Sequence, residues 1–149
     1  MPKRLLMYWC LTVFSMIFSA LALPSKAQEF TPLDKVIVSE NSDWNTMYVF
    51  QRCAAVHSAI VHRMASSGRN DVVQLIEGHE LIIKYWVNLI VKQAEKLGVS
   101  DMQDDLTKRT IEMTDVYSKL MDESYTLTGN AVSGTFKDDL RTCDILRGN

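Results

Sequence analysis

From residue 42 onward the apolar positions recur three and four apart, the spacing of one face of an α-helix. Ser42-Asp43 offers an N-cap ahead of Trp44, and Met47, Phe50, Ala54, His57, Val61 and Met64 follow as one stripe. The stripe stops at SSGRND, where Gly68 suits a left-handed C-terminal position and Asn70 or Asp71 can cap the next helix. That second helix carries Val72, Leu75, Ile76, His79, Ile83, Trp86, Ile90, Ala94 and Leu97, and ends at Gly98. Ser100-Asp101-Met102-Gln103 reads as a capping box that opens a third helix. Its apolar face holds Leu106, Met113, Tyr117, Leu120 and Leu127, and Gly129 closes it. A shorter fourth segment sets Val132, Phe136, Leu140 and Cys143 on one side. Upstream, Thr31-Pro32-Leu33-Asp34 opens a short helix ending near Glu40, with proline at its favoured first position.

No alternating run and no Asn-Gly hairpin marks a strand. The pattern therefore predicts an all-α fold. Residues 42–149 are expected to form a small antiparallel helical bundle of three long helices plus a short C-terminal helix, with residues 28–41 as an N-terminal extension. The first long helix is rich in small residues (Ala54, Ala55, Ser58, Ala59, Ala65), and only Asn45, Arg52 and Arg63 mark a wet edge. Such a helix is expected at the centre, where its neighbours approach closely.

The first 27 residues change the picture of where this bundle works. Lys3 and Arg4 precede an uncharged run from Leu5 to Leu23, Pro24 breaks it, and Ser25-Lys26-Ala27 supplies a small-x-small cleavage site before Gln28. This is the layout of a bacterial secretory signal peptide, and it predicts a periplasmic or secreted protein. The alternative is an uncleaved anchor in the inner membrane, since the run approaches the ~20 residues that span a bilayer. In that case the segment is the only membrane contact expected. Tyr8 and Trp9 before Cys10 do not suit a lipoprotein site.

Residues 28–149 number 122, enough for one domain with a modest core. They keep all 18 acidic residues but lose Lys3, Arg4 and Lys26 of the 16 basic ones, leaving 13 against 18 and a net charge of −5. Scattered lysines on an acidic chain lack the electrostatic footprint of a nucleic-acid binder. Removal of the leader also leaves two cysteines, Cys53 and Cys143, both on apolar helix faces. Two cysteines in an exported protein predict one structural disulfide. A redox or metal thiol wants a second cysteine close in sequence, and there is none.

His57 and His79 fall inside the apolar stripes of the first two long helices. Antiparallel packing brings the two imidazoles toward each other, and Glu80 at the stripe's edge can join them as a zinc or iron site. Each histidine can equally be a hydrogen-bonded core residue, and Glu80 has Lys84 four positions on for a surface ion pair. No His-Glu-x-x-His or paired Glu-x-x-His motif supports a metal. His62 points away from His57 and marks a packing edge. Glu77 with Glu80, and Glu112 with Asp115, are paired acids, but Lys108, Arg109 and Lys119 make the latter a solvated charged face. No nucleophile triad, phosphate loop or haem motif is present. Leu81, Tyr85 and Leu89 lie off the second helix's main stripe and form a candidate interaction patch for a protein partner or homodimer. Gly78, interior to that helix, points to a close backbone crossing.

YVFQRCAA, residues 48 to 55, resembles a stretch found in short exported proteins of marine bacteria and their phages. So brief a likeness implies no fold, site or activity. The sequence thus predicts an exported helical protein without an evident enzyme signature and without a required cofactor. It is expected to act as a binding or interaction module of the periplasm, or else to bind a metal or small ligand through His57, His79 and Glu80.

Overall fold

A computed structural model describes residues 30–39 and 42–148 of the chain. The expected leader at 1–27, with Cys10, lies outside the described residues, as do Gln28, Glu29, Glu40 and Asn41 of the expected N-terminal extension. The fold is all-α, with no strand among the described residues. A short helix α1 (Leu33–Ser39) precedes three long ones, α2 (Asp43–Ser66), α3 (Val73–Leu97) and α4 (Gln103–Thr128). A shorter α5 (Gly134–Arg147) ends the bundle. No helix among the described residues is long and apolar enough to cross a membrane.

The helix boundaries follow local chemistry in part. Ser42 caps α2 as its side chain accepts from the Asn45 amide at 3.1 Å. Gly98 ends α3 in the left-handed region at φ 68°, and its amide and that of Val99 close on Glu95 and Ala94 carbonyls. Two expected caps are not formed. The turn after Gly98 is so short that Ser100–Met102 winds into a 3-10 turn, with the Met102 amide on the Val99 carbonyl. Met102, not Ser100, then occupies the cap position of α4 and makes no side-chain cap bond. Asn70–Val72 forms a similar 3-10 turn before α3, and Asp71 pairs with Arg69 instead of capping.

α2 is the central helix, contacting α1, α3, α4 and α5. It runs antiparallel to α3, with Phe50 against Trp86, His57 against His79 and Asp43 bonded to Lys96. It runs parallel to α4, with Gln51 on the Leu106 carbonyl and Arg63 on Asp122. Ala54, Ala55 and Ala59 are buried, as a helix surrounded by neighbours requires. Leu75 and Leu127, at the outer ends of their stripes, extend past the core and are exposed. Gly78 marks no close crossing: it is exposed, and a Cβ there would meet nothing within 4 Å.

The expected wet edge of α2 is wrong at Arg52, which is fully buried. Its guanidinium donates to Asp139 on α5, to Tyr117 Oη on α4 at 2.9 Å and to the Thr31 carbonyl at 2.6 Å. The Phe30 ring lies over it, 4.3 Å from the centroid. Asp139 also accepts the Tyr117 hydroxyl and, through Oδ1, the Leu33 amide at 2.8 Å. Burial is therefore tolerated because each charge is paired and hydrogen-bonded. One residue from Arg52, Cys53 is bonded to Cys143, 90 positions on in the sequence, with Cα atoms 5.5 Å apart. Loop-closure entropy assigns such a link on the order of 4 kcal/mol.

These two fastenings differ from the surface pairs in a measurable way. Asp139→Ala strands a buried guanidinium and is expected to lower stability by about 3–5 kcal/mol. Asp122→Ala breaks only the exposed pair with Arg63 and is expected to cost under about 1 kcal/mol. Urea unfolding of both variants checks the contrast, and equal costs would refute it.

Candidate functional site

The histidines predicted to meet do meet. His57 on α2 and His79 on α3 place their Nδ1 atoms 2.9 Å apart, with ring centroids at 5.2 Å. That distance is a direct hydrogen bond between rings. A tetrahedral zinc would hold two ring nitrogens roughly 3.3 Å apart. His57 is buried and its Nε2 has no partner among the described residues, as is also true of Trp86 Nε1. The tautomer follows from that burial. With His57 donating through Nδ1, its Nε2 is a bare acceptor, which costs less in an apolar setting than a stranded N–H. His79, half-buried, then accepts at Nδ1 and keeps its N–H on the more open ring.

Burial lowers the His57 pKa to about 4, and the neighbouring His79 adds to the shift. Burial also lowers that of His79, against an opposing pull from Asp144 on α5. Arg147 disfavours protonation of both rings. Glu80 does not join them: it lies on the exposed side of α3. No group of three or more metal-binding side chains is assembled among the described residues. His62 is exposed, beside Arg63 and Asp122 at the outer end of α2.

The patch expected at Leu81, Tyr85 and Leu89 divides. Leu81 and Tyr85 are exposed and line a shallow hollow with Gly78 and His79, whereas Leu89 packs against the core. Here Gly78 supplies open space.

A second feature of the site was not anticipated from the sequence. On the side of α2 away from α5, helices α3 and α4 barely touch along their length. Between them lies a cleft of about 460 Å³. Its floor is Ala54 and Ser58 of α2, whose short side chains leave the space unfilled. One wall is Ile83, Val87, Ile90, Val91 and Ala94 of α3, and Glu95 stands at its end. The other wall is Leu106, Thr107, Thr110, Ile111 and Thr114 of α4, with Ser100 and Gln103 near the turn. Val87, Val91 and Ile111 on its rim are 42%, 41% and 57% exposed. The size and mainly aliphatic lining are those of a small-molecule site. The sequence did hold a signal: α3 is apolar around most of its circumference, and Val87 and Val91 belong to no buried stripe.

The chain matches no known protein family, no curated protein and no solved structure.

The histidine pair has a pH consequence. Unfolded His57 takes a proton near 6.5 and the folded residue only near 4, so the unfolded chain binds more protons between these values. Its contribution to stability is full above about 6.5 and lost as pH falls toward 4. Urea unfolding of wild type and His57→Gln across pH 7.5 to 4 is expected to show the wild type losing on the order of 3 kcal/mol more. Parallel curves would contradict the assignment.

Proposed function

We propose that the protein is a non-enzymatic binding module that takes an apolar ligand into the cleft between α3 and α4. The observation that carries this reading is the cleft itself: an aliphatic space of about 460 Å³, kept open by Ala54 and Ser58 where larger residues would close it. Water in contact with such walls is unfavourable by roughly 25 cal/mol per Å² of apolar surface, so an apolar occupant gains by displacing it. No charged pair or reactive constellation faces the space, which favours binding over chemistry.

We further propose that it works outside the cytoplasm, in the periplasm, with residues 1–27 as a removable leader. The Cys53–Cys143 bond supports this, since disulfides persist in oxidising compartments. N-terminal sequencing of the protein recovered from its native membrane and periplasmic fractions tests it. A soluble product beginning at Gln28 is expected, and an intact Met1 in the membrane fraction would favour the anchored form.

A metal-binding reading keeps one observation in its favour, the adjacency of His57 and His79. It lacks the carboxylate, because Glu80 faces solvent. The cleft therefore carries the stronger case.

The neutral fluorophore N-phenyl-1-naphthylamine provides the direct test. It is expected to bind the purified disulfide-bonded protein at one site per chain, with a blue-shifted, enhanced emission. Val87→Trp, which fills the cleft from its rim without a buried side chain being replaced, is expected to weaken binding at least about tenfold, the equivalent of 1.4 kcal/mol. Tyr85→Ala, on a different face of α3, should leave it unchanged. Binding unaffected by Val87→Trp in a variant of unaltered helicity would rule the cleft out.

A further inference from the structure

The lining of the cleft includes a carboxylate residue as well as apolar ones. We infer that its occupant is an apolar molecule bearing a protonated amine, with the ammonium at Glu95 by the α3–α4 turn and the body along the wall toward Ile83. This rests on the cleft being the binding site.

Two observations lead there. The first is charge. Among the described residues Glu95 is the one charged residue lining the cleft, and no lysine, arginine or histidine lines it. Lys92 and Lys108 stand on the same two helices, but on faces that do not border the space. Lys96 is engaged with Asp43 on the outer surface. The start of α4 carries a partial positive charge from its backbone, and Asp101, Asp104 and Asp105 offset it at that end.

The second is hydrogen-bond capacity. Ser58 Oγ donates to the Ala54 carbonyl at 2.9 Å, Thr110 Oγ1 to Leu106 at 2.8 Å and Thr114 Oγ1 to Thr110 at 2.9 Å. These three hydroxyl protons are committed within their own helices, so those side chains can offer a ligand oxygen lone pairs but no donor. Ser100, Gln103 and Thr107 near the turn can donate as well as accept, so the preference for a donating, cationic head rests on the charge of Glu95 together with these committed hydroxyls. The site disfavours a carboxylate, sulfate or phosphate head, which would meet like charge at Glu95. The wall from Ile83 to Glu95 is 12 residues of helix, about 18 Å, long enough for an extended alkyl chain.

The experiment compares heads on one chain. Dodecylamine, dodecanol and laurate are titrated, below their micelle concentrations at neutral pH, against bound N-phenyl-1-naphthylamine. Dodecylamine is expected to displace the probe at about tenfold lower concentration than laurate, with dodecanol between them. Glu95→Gln is expected to reduce that ratio below about threefold while the probe still binds. Asp104→Asn removes a carboxylate outside the cleft and should leave the ratio as in wild type, which separates Glu95 from the chain's overall acidity. Laurate displacing as well as dodecylamine, or a ratio unmoved by Glu95→Gln, overturns the inference while the cleft stands as an apolar site. Failure of the probe to bind the cleft at all overturns both.

Discussion

The arrangement of this bundle depends on a buried ion pair between Arg52 and Asp139. Two opposite charges in an apolar interior are favourable only if every remaining donor and acceptor is satisfied. The fold meets that demand with three groups outside the pair: the Thr31 carbonyl before α1, the Leu33 amide of α1 and the Tyr117 hydroxyl of α4. Burial and the nearby Asp139 push the Tyr117 hydroxyl well above its usual range, so it stays a proton donor. The pair thus fixes where α1 and α5 lie on α2. Once α5 crosses there, Cys143, one turn past Asp139, comes within reach of Cys53, next to Arg52. Charge pairing and the covalent link enforce the same crossing.

That crossing also determines where the bundle is incomplete. Ala54 follows Arg52 by two positions, about 200° around α2, so it faces nearly opposite to the Arg52 side chain. Among the described residues α2 is flanked on that side by α3 and α4 alone, and with small residues beneath them none of these residues fills the angle between the two walls. The cleft and the ion pair are therefore opposite faces of one helix.

Helix number, the inter-helix glycines and the disulfide could be read from the sequence because each rests on spacing or on counting. The meeting of His57 and His79 was legible too, since it needs only two stripes and antiparallel packing. Arg52 was not. An arginine at the edge of a helical stripe looks solvated, and its partner lies 87 positions away with no local sign of the pairing. The Ser100 capping box failed for a related reason: the motif is local, but the shortness of the turn after Gly98 decided the geometry. The interior Gly78 was ambiguous between close approach and open space, and only the neighbours' positions resolve it. The cleft was hidden because a void arises from the angle between helices, which no periodicity encodes.

The small residues of α2 now carry two meanings. Read along the chain, alanines and serines on a central helix imply closely packed neighbours, and Ala55 and Ala59 fit that view, fully buried among them. Ala54 is as buried as they are, but with the half-buried Ser58 it forms the floor of the cleft. A bundle selected for stability alone would gain from a leucine at either position, since filling a void recovers both apolar burial and contact. The cleft instead leaves aliphatic side chains on its rim in water, and that apolar surface is what the proposed ligand would cover. What α2 leaves unfilled then matters as much as what it buries.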